Sequence, residues 1–83
     1  MPEKLTVDLH PYFRSDRDLD AAVRRTIFRA AKDQVKLVEF IPGKGSGKLR
    51  KRVLAMLNQP HLKKLYRSVE ADTTNEGRVL VRF

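Results

Sequence analysis

Leu5-Thr6-Val7-Asp8-Leu9-His10 alternates apolar and polar side chains, the period of a β-strand. That puts Leu5, Val7 and Leu9 on one face and Thr6, Asp8 and His10 on the other, with Pro11 ending the run because it has no N–H to donate. From Leu19 the period changes. Leu19, Ala22, Val23, Thr26, Ile27 and Ala30 recur in steps of three and four, the spacing of a helix. Ser15 and Asp18 have the form of a capping box, with Asp in place of the usual Glu, and acids at 16, 18 and 20 suit a helix N-terminus. A helix over 16–32 is predicted. Residues 35–41 are a β-branched and aromatic run stopped by Pro42-Gly43, which predicts a second strand. A second helix is expected over 48–58, with Leu49, Val53, Met56 and Leu57 on one side and Pro60 closing it. Residues 61–69 read as a third strand, 71–77 as a polar turn, and 78–83, with Val79, Val81 and Phe83 on one face, as a fourth strand.

The order is therefore βαβαββ. Strands joined through a helix should be parallel with a right-handed crossover, and the last two are close enough for a hairpin. The fold class expected is α/β: a two-layer sandwich, with a four-stranded mixed sheet carrying two helices on one face. At 83 residues the chain is a single domain, 1–83, without internal repeat or linker. A chain of this size buries only about 60–65% of its surface, so a shallow site near an edge is expected, not a deep pocket. No apolar stretch approaches the roughly 20 residues needed to cross a bilayer, and the first residues lack the apolar core of a signal peptide. The absence of cysteine excludes disulfides and thiol or iron–sulfur chemistry and suits a reducing compartment, here expected to be the cytoplasm.

Charge changes the picture. Lysine and arginine number 18 against 10 acids, a formal net charge of +8. Between Phe40 and Val69 there is no acidic residue, yet the span holds Lys44, Lys48, Arg50, Lys51, Arg52, Lys63, Lys64 and Arg67. Elsewhere the signs cancel, so the whole excess lies in one segment. A face that serves only solubility mixes signs. An acid-free basic segment attracts polyanions by releasing their counterions, which points to nucleic acid as partner. Beyond Phe40 the segment has one ring, Tyr66, so base stacking should be sparse and sequence preference weak. If about five phosphates are neutralised, log affinity for duplex DNA should fall with log salt at a slope of roughly −4.5. Lys63, Lys64 and Arg67 join this track if the third strand lies on the same side. The competing class is a protein–protein module whose basic face meets an acidic partner.

Gly43, Lys44, Gly45, Ser46 and Gly47 join the second strand to the second helix. Alternate glycines allow positive φ and close approach of a ligand, and successive amides ahead of a helix form an anion site. Lys44, Lys48 and Arg50 add full charges around it, with Lys51 and Arg52 behind. A plain strand-to-helix turn would need the glycines but not the lysines. The nucleotide P-loop pattern fails, because Pro42 stands at its first position and Leu49 at its last, and the dinucleotide pattern fails because Ser46 alone separates the second and third glycines.

Asp8 and His10, two apart on a strand, should share a face at the edge where both parallel strands end, beside the glycine loop. One reading has them merely solvating an open sheet face. The other makes His10 an acid or base for phosphodiester cleavage, oriented by Asp8. His61 follows a proline and is expected at the surface. Two histidines and no cysteine argue against a transition-metal site, while a carboxylate-bound divalent ion such as magnesium stays open, with Asp8 as one ligand.

Val7-Asp8-Leu9-His10 resembles the Leu-Asp-Leu-His signature of the small MutS-related (Smr) domain, and Gly43-Lys44-Gly45-Ser46-Gly47 followed by Leu49-Arg50 resembles its His-Gly-x-Gly-x-Gly loop. The element order and length agree over about residues 5–83. The resemblance implies a nucleic-acid-binding module, many of whose relatives nick or cleave DNA or RNA, in settings that include DNA repair and ribosome rescue and larger assemblies of either kind. It makes Asp8 and His10 the first functional motif and Gly43, Lys44, Gly45 and Gly47 the second. Two positions depart from the pattern. Pro42 replaces the loop histidine, and Pro11 replaces the usual small residue after the first motif. The first departure removes a proton-transfer group but leaves an amide cradle intact, so binding is better supported than cleavage.

Overall fold

A computed structural model describes residues 4–12, 14–42, 47–71 and 78–83. Strand β1 (Lys4–Asp8) leads through a 3-10 turn (His10–Tyr12) to helix α1 (Asp16–Lys32). Strand β2 (Leu37–Ile41), helix α2 (Lys48–Leu57), a short helix α3 (Pro60–Lys63), β3 (Ser68–Ala71) and β4 (Val79–Arg82) follow. The sheet order is β1-β2-β4-β3, with β1 and β2 parallel and the other pairs antiparallel. The expected α/β sandwich with a four-stranded mixed sheet is what the chain forms.

Helix α1 spans the predicted residues, and Ser15 caps it by accepting from the Asp18 N–H at 3.2 Å. Its other end closes with Gln34 in the left-handed region (φ 58) and the Val35 N–H bonded to the Ala30 carbonyl at 2.9 Å. Val35 is used in that closure, the Lys36 carbonyl accepts the Phe83 N–H at 3.0 Å beside the sheet, and β2 begins at Leu37. The third strand expected over 61–69 needs correction. Pro60 does not close α2, which ends at Leu57; it opens α3, where the N–H groups of Leu62 and Lys63 bond to the Gln59 carbonyl at 3.0 and 2.8 Å. The strand starts only at Ser68. Pro60 at the first helical position makes residues 60–63 a single helical turn, and residues 64–67 lead from it into the strand.

Register sorts the sheet into two faces. Leu5, Val38, Val81 and Val69 lie in one row, and Val7, Phe40, Val79 and Ala71 in the next. Against these rows pack Leu19, Val23 and Ile27 of α1, Val53, Met56 and Leu57 of α2, and Leu62 of α3, in a single core. All three helices therefore cover one face. No helix among the described residues is long and apolar enough to cross a membrane.

On the uncovered face, Thr6, Glu39, Leu80 and Glu70 form a cross-strand row. Glu39 is only 5% exposed. Its carboxylate pairs with the Lys4 Nζ at 3.2 Å and the Arg78 guanidinium at 3.0 Å, and accepts from the Thr6 hydroxyl at 3.4 Å. Burial pushes the Glu39 pKa up, but hydrogen bonds and charge from Lys4 and Arg78 outweigh it, leaving the carboxyl below its ordinary 4.5. The folded value is the lower one, so this stabilisation is complete above about pH 4.5 and is lost as pH falls through the folded pKa. Glu39→Gln should cost about 1–2 kcal/mol near neutrality, a buried-pair loss discounted for the half-exposed cations. Urea unfolding at several pH values checks this. The gap from wild type should close in acid, and a gap independent of pH would show that the Glu39 charge contributes nothing.

Candidate nucleic-acid interface

The parallel ladder brings the ends of β1 and β2 to one edge. Asp8 lies opposite Ile41, and the Leu9 N–H extends the pairing by bonding to the Ile41 carbonyl at 2.9 Å. Leu9 is fully buried and anchors the end of the strand. β1 stops at Asp8, two residues before the predicted end, because Asp8 Oδ1 accepts the His10 backbone N–H at 2.9 Å. An Asp that takes an amide two residues on starts a turn. His10 is thus the first residue of the 3-10 turn instead of a strand neighbour of Asp8, and this bond fixes its main chain. His10 is exposed at the edge, with Pro11 inside the turn and not at a strand end.

Across the edge, Pro42 is buried and Gly47 begins α2. Gly43, Lys44, Gly45 and Ser46 lie outside the described residues. Gly47 has φ +80, the left-handed region that favours glycine, while a Cβ there would meet only the Arg50 guanidinium at an ordinary 3.6 Å. Backbone conformation, not crowding, calls for glycine at this point. The Gly47 carbonyl accepts the Lys51 N–H at 3.0 Å, and among the described residues no side chain caps the helix start.

The two long helices start at the same edge with opposite chemistry. α1 has a serine cap and Asp16 and Asp18 in its first turn. α2 has no side-chain cap, no acid in its first turn, and Lys48, Arg50 and Lys51 instead. Cations at a helix N-terminus oppose the dipole, and the first amides there need acceptors. An anion at this position would correct both. Lys48 and Lys51 are exposed, and Arg50 leans back toward Gly47. Arg52 is committed elsewhere, pairing at 3.0 Å with Asp16 and tying α2 to the start of α1.

The later basic residues of the acid-free segment do not join this edge. Leu65 shares a shallow hollow with Ala30, Gln34 and Phe83, and the Arg67 N–H bonds to the Arg82 carbonyl at 2.7 Å. Those partners mark the opposite end of the sheet, about 15 Å away along α2. Lys63, Lys64, Arg67 and His61 belong to that end. Tyr66 is an anchor there, its hydroxyl donating to the Leu57 carbonyl at 2.5 Å, and burial raises its pKa. Among the described residues no three His, Cys, Asp or Glu side chains gather into a metal cage.

A family model described as the Smr domain matches residues 7–83. The chain belongs to the Smr domain family. The match opens on Val7, first residue of the Val7–His10 motif, and runs through β4 to the last residue. Searches of the curated proteins and of the solved structures found no match. In this Smr domain Asp8, His10 and Gly47 stand at one sheet edge, although the turn at Asp8 and the pairing of Arg52 could not be read from spacing.

Proposed function

We propose that this Smr domain binds nucleic acid by its backbone at the edge formed by the ends of β1 and β2. The observation that carries the reading is the first turn of α2: cationic, acid-free, without a side-chain cap, and opening on a left-handed glycine. A phosphate ester there would accept helix amides and be surrounded by Lys48, Arg50 and Lys51. Lys44, with Gly43, Gly45 and Ser46, would complete the cradle from the preceding loop. A cysteine-free chain suits such a role in the cytoplasm, where a repair or translation-linked assembly would supply the strand.

Strand cleavage is the finer reading. With Pro42 in the place of the family's loop histidine, His10 supplies the imidazole at this edge, the side chain type that exchanges protons near neutrality. It would protonate or deprotonate an oxygen of a phosphodiester seated at α2. Asp8 would act as a positioning residue, through the backbone bond that starts the turn. Asp8 could also lend one carboxylate to a divalent ion brought by the phosphates.

If Lys44 joins Lys48, Arg50 and Lys51 in neutralising four phosphates, the salt slope on duplex DNA would be roughly −3.6, shallower than a count that includes Arg52. Lys48→Ala combined with Arg50→Ala should make the slope about 1.8 units shallower, whereas Lys63→Ala with Lys64→Ala should leave it nearly unchanged. Fluorescence anisotropy across a salt series checks both. Equal effects of the two double variants would remove the α2 site, and binding indifferent to salt would remove the electrostatic account altogether.

His10→Ala should retain binding and lose nicking of supercoiled plasmid or cleavage of structured RNA, by about 100-fold or more if His10 transfers a proton. Cleavage equal in wild type and variant would exclude His10, and a wild type that binds without cleaving would leave a binding module.

A further inference from the structure

Among the described residues, Phe28 is the large apolar side chain left exposed, at 47%. It lies at the centre of the outer face of α1. Leu19, Val23, Thr26, Ile27 and Ala30 turn toward the sheet. At about 100° per residue, Arg17, Arg24, Arg25 and Lys32 fall within roughly 60° of Phe28 on the opposite side. All four are exposed. Arg24 pairs with Asp20 at 3.4 Å, while Arg17, Arg25 and Lys32 make no ion pair among the described residues. Asp18 stands at one margin of this face and Asp20 at the other.

We propose that this face of α1 is a second contact for nucleic acid, taking a single strand with a base stacked on Phe28 and phosphates at Arg17, Arg25 and Lys32. Every base has a π-face, and a ring surrounded by cations satisfies base and phosphate together. A duplex keeps its base faces stacked internally and offers the ring nothing. An acidic protein surface would meet the cations, but only one with an apolar pocket set among its acids would take the ring as well. The Asp16–Arg52 pair, at 3.0 Å, sets the start of this helix beside α2. Phe28 lies about 18 Å further along α1, so one strand held at Gly47–Lys51 can run down the helix to reach it. The inference rests on nucleic acid being the partner and adds which form of it the domain prefers.

The chain has no tryptophan, so Phe28→Trp places a lone indole at the proposed contact. Titration with a short oligothymidylate should quench that emission. Phe28→Ala should weaken binding of the oligothymidylate about tenfold and leave affinity for a mixed-sequence duplex within about twofold. Arg17→Glu with Arg25→Glu should weaken the single strand comparably. Alanine is a strong helix former at an exposed position, and circular dichroism verifies that α1 persists. Unchanged oligothymidylate affinity in Phe28→Ala, or unmoved emission at saturation, overturns the proposal while leaving the α2 site standing. Self-association of the wild type that Phe28→Ala abolishes would assign the face to a second copy and overturns it too. A wild type that binds neither probe removes both readings together.

Discussion

The parallel pairing of β1 with β2 is the constraint on which the site depends. Because both strands run the same way, both leave the sheet at one edge, and Asp8 comes level with Ile41. The Leu9–Ile41 hydrogen bond fixes that level, and the buried Leu9 and Phe40 hold it in the core. The turn after β1 and the connection after β2 therefore share an edge, and both long helices begin there. An antiparallel pairing would send His10 and Gly47 to opposite ends of the domain. Glu39, clamped by Lys4 and Arg78 on the uncovered face, braces the centre of the same sheet.

Electrostatics then separates the two helices. α1 begins with a capping serine and acids, the arrangement a helix dipole favours, and is locally self-sufficient. α2 begins with cations on an uncapped glycine and is not. Local propensity and tertiary placement usually agree, and disagreement marks a site kept for something other than stability. Arg52 pairs with Asp16 at the start of α1, while Lys48, Arg50 and Lys51 make no ion pair among the described residues.

Much of the fold was legible in the sequence. The α1 boundaries followed from Ser15, Asp18 and the apolar spacing, and the parallel pair followed from strand–helix–strand order. What misled was local chemistry and spacing. Asp8 bonds to the His10 amide and ends the strand early, which an alternating pattern cannot reveal. Pro60 suits the first position of a helix as well as the end of one, and the four-residue helix it opens is too short for periodicity to reveal. Charge counted by segment also joined residues that the fold keeps apart. Lys63, Lys64 and Arg67 follow Arg52 in sequence but stand at the far end of α2. Counting by segment likewise cancelled the arginines of α1 against its aspartates, although the helix turns Arg17, Arg25 and Phe28 to one side.

The central claim is that a polyanion is held at the edge where β1 and β2 end. Backbone amide NMR shifts on adding a short oligonucleotide test it most directly, because every described element reports at once. The account predicts the largest shifts at Gly47–Lys51, with a second group at Asp8–His10. Shifts confined to Lys63–Arg67 and β3, with the edge silent, would contradict it.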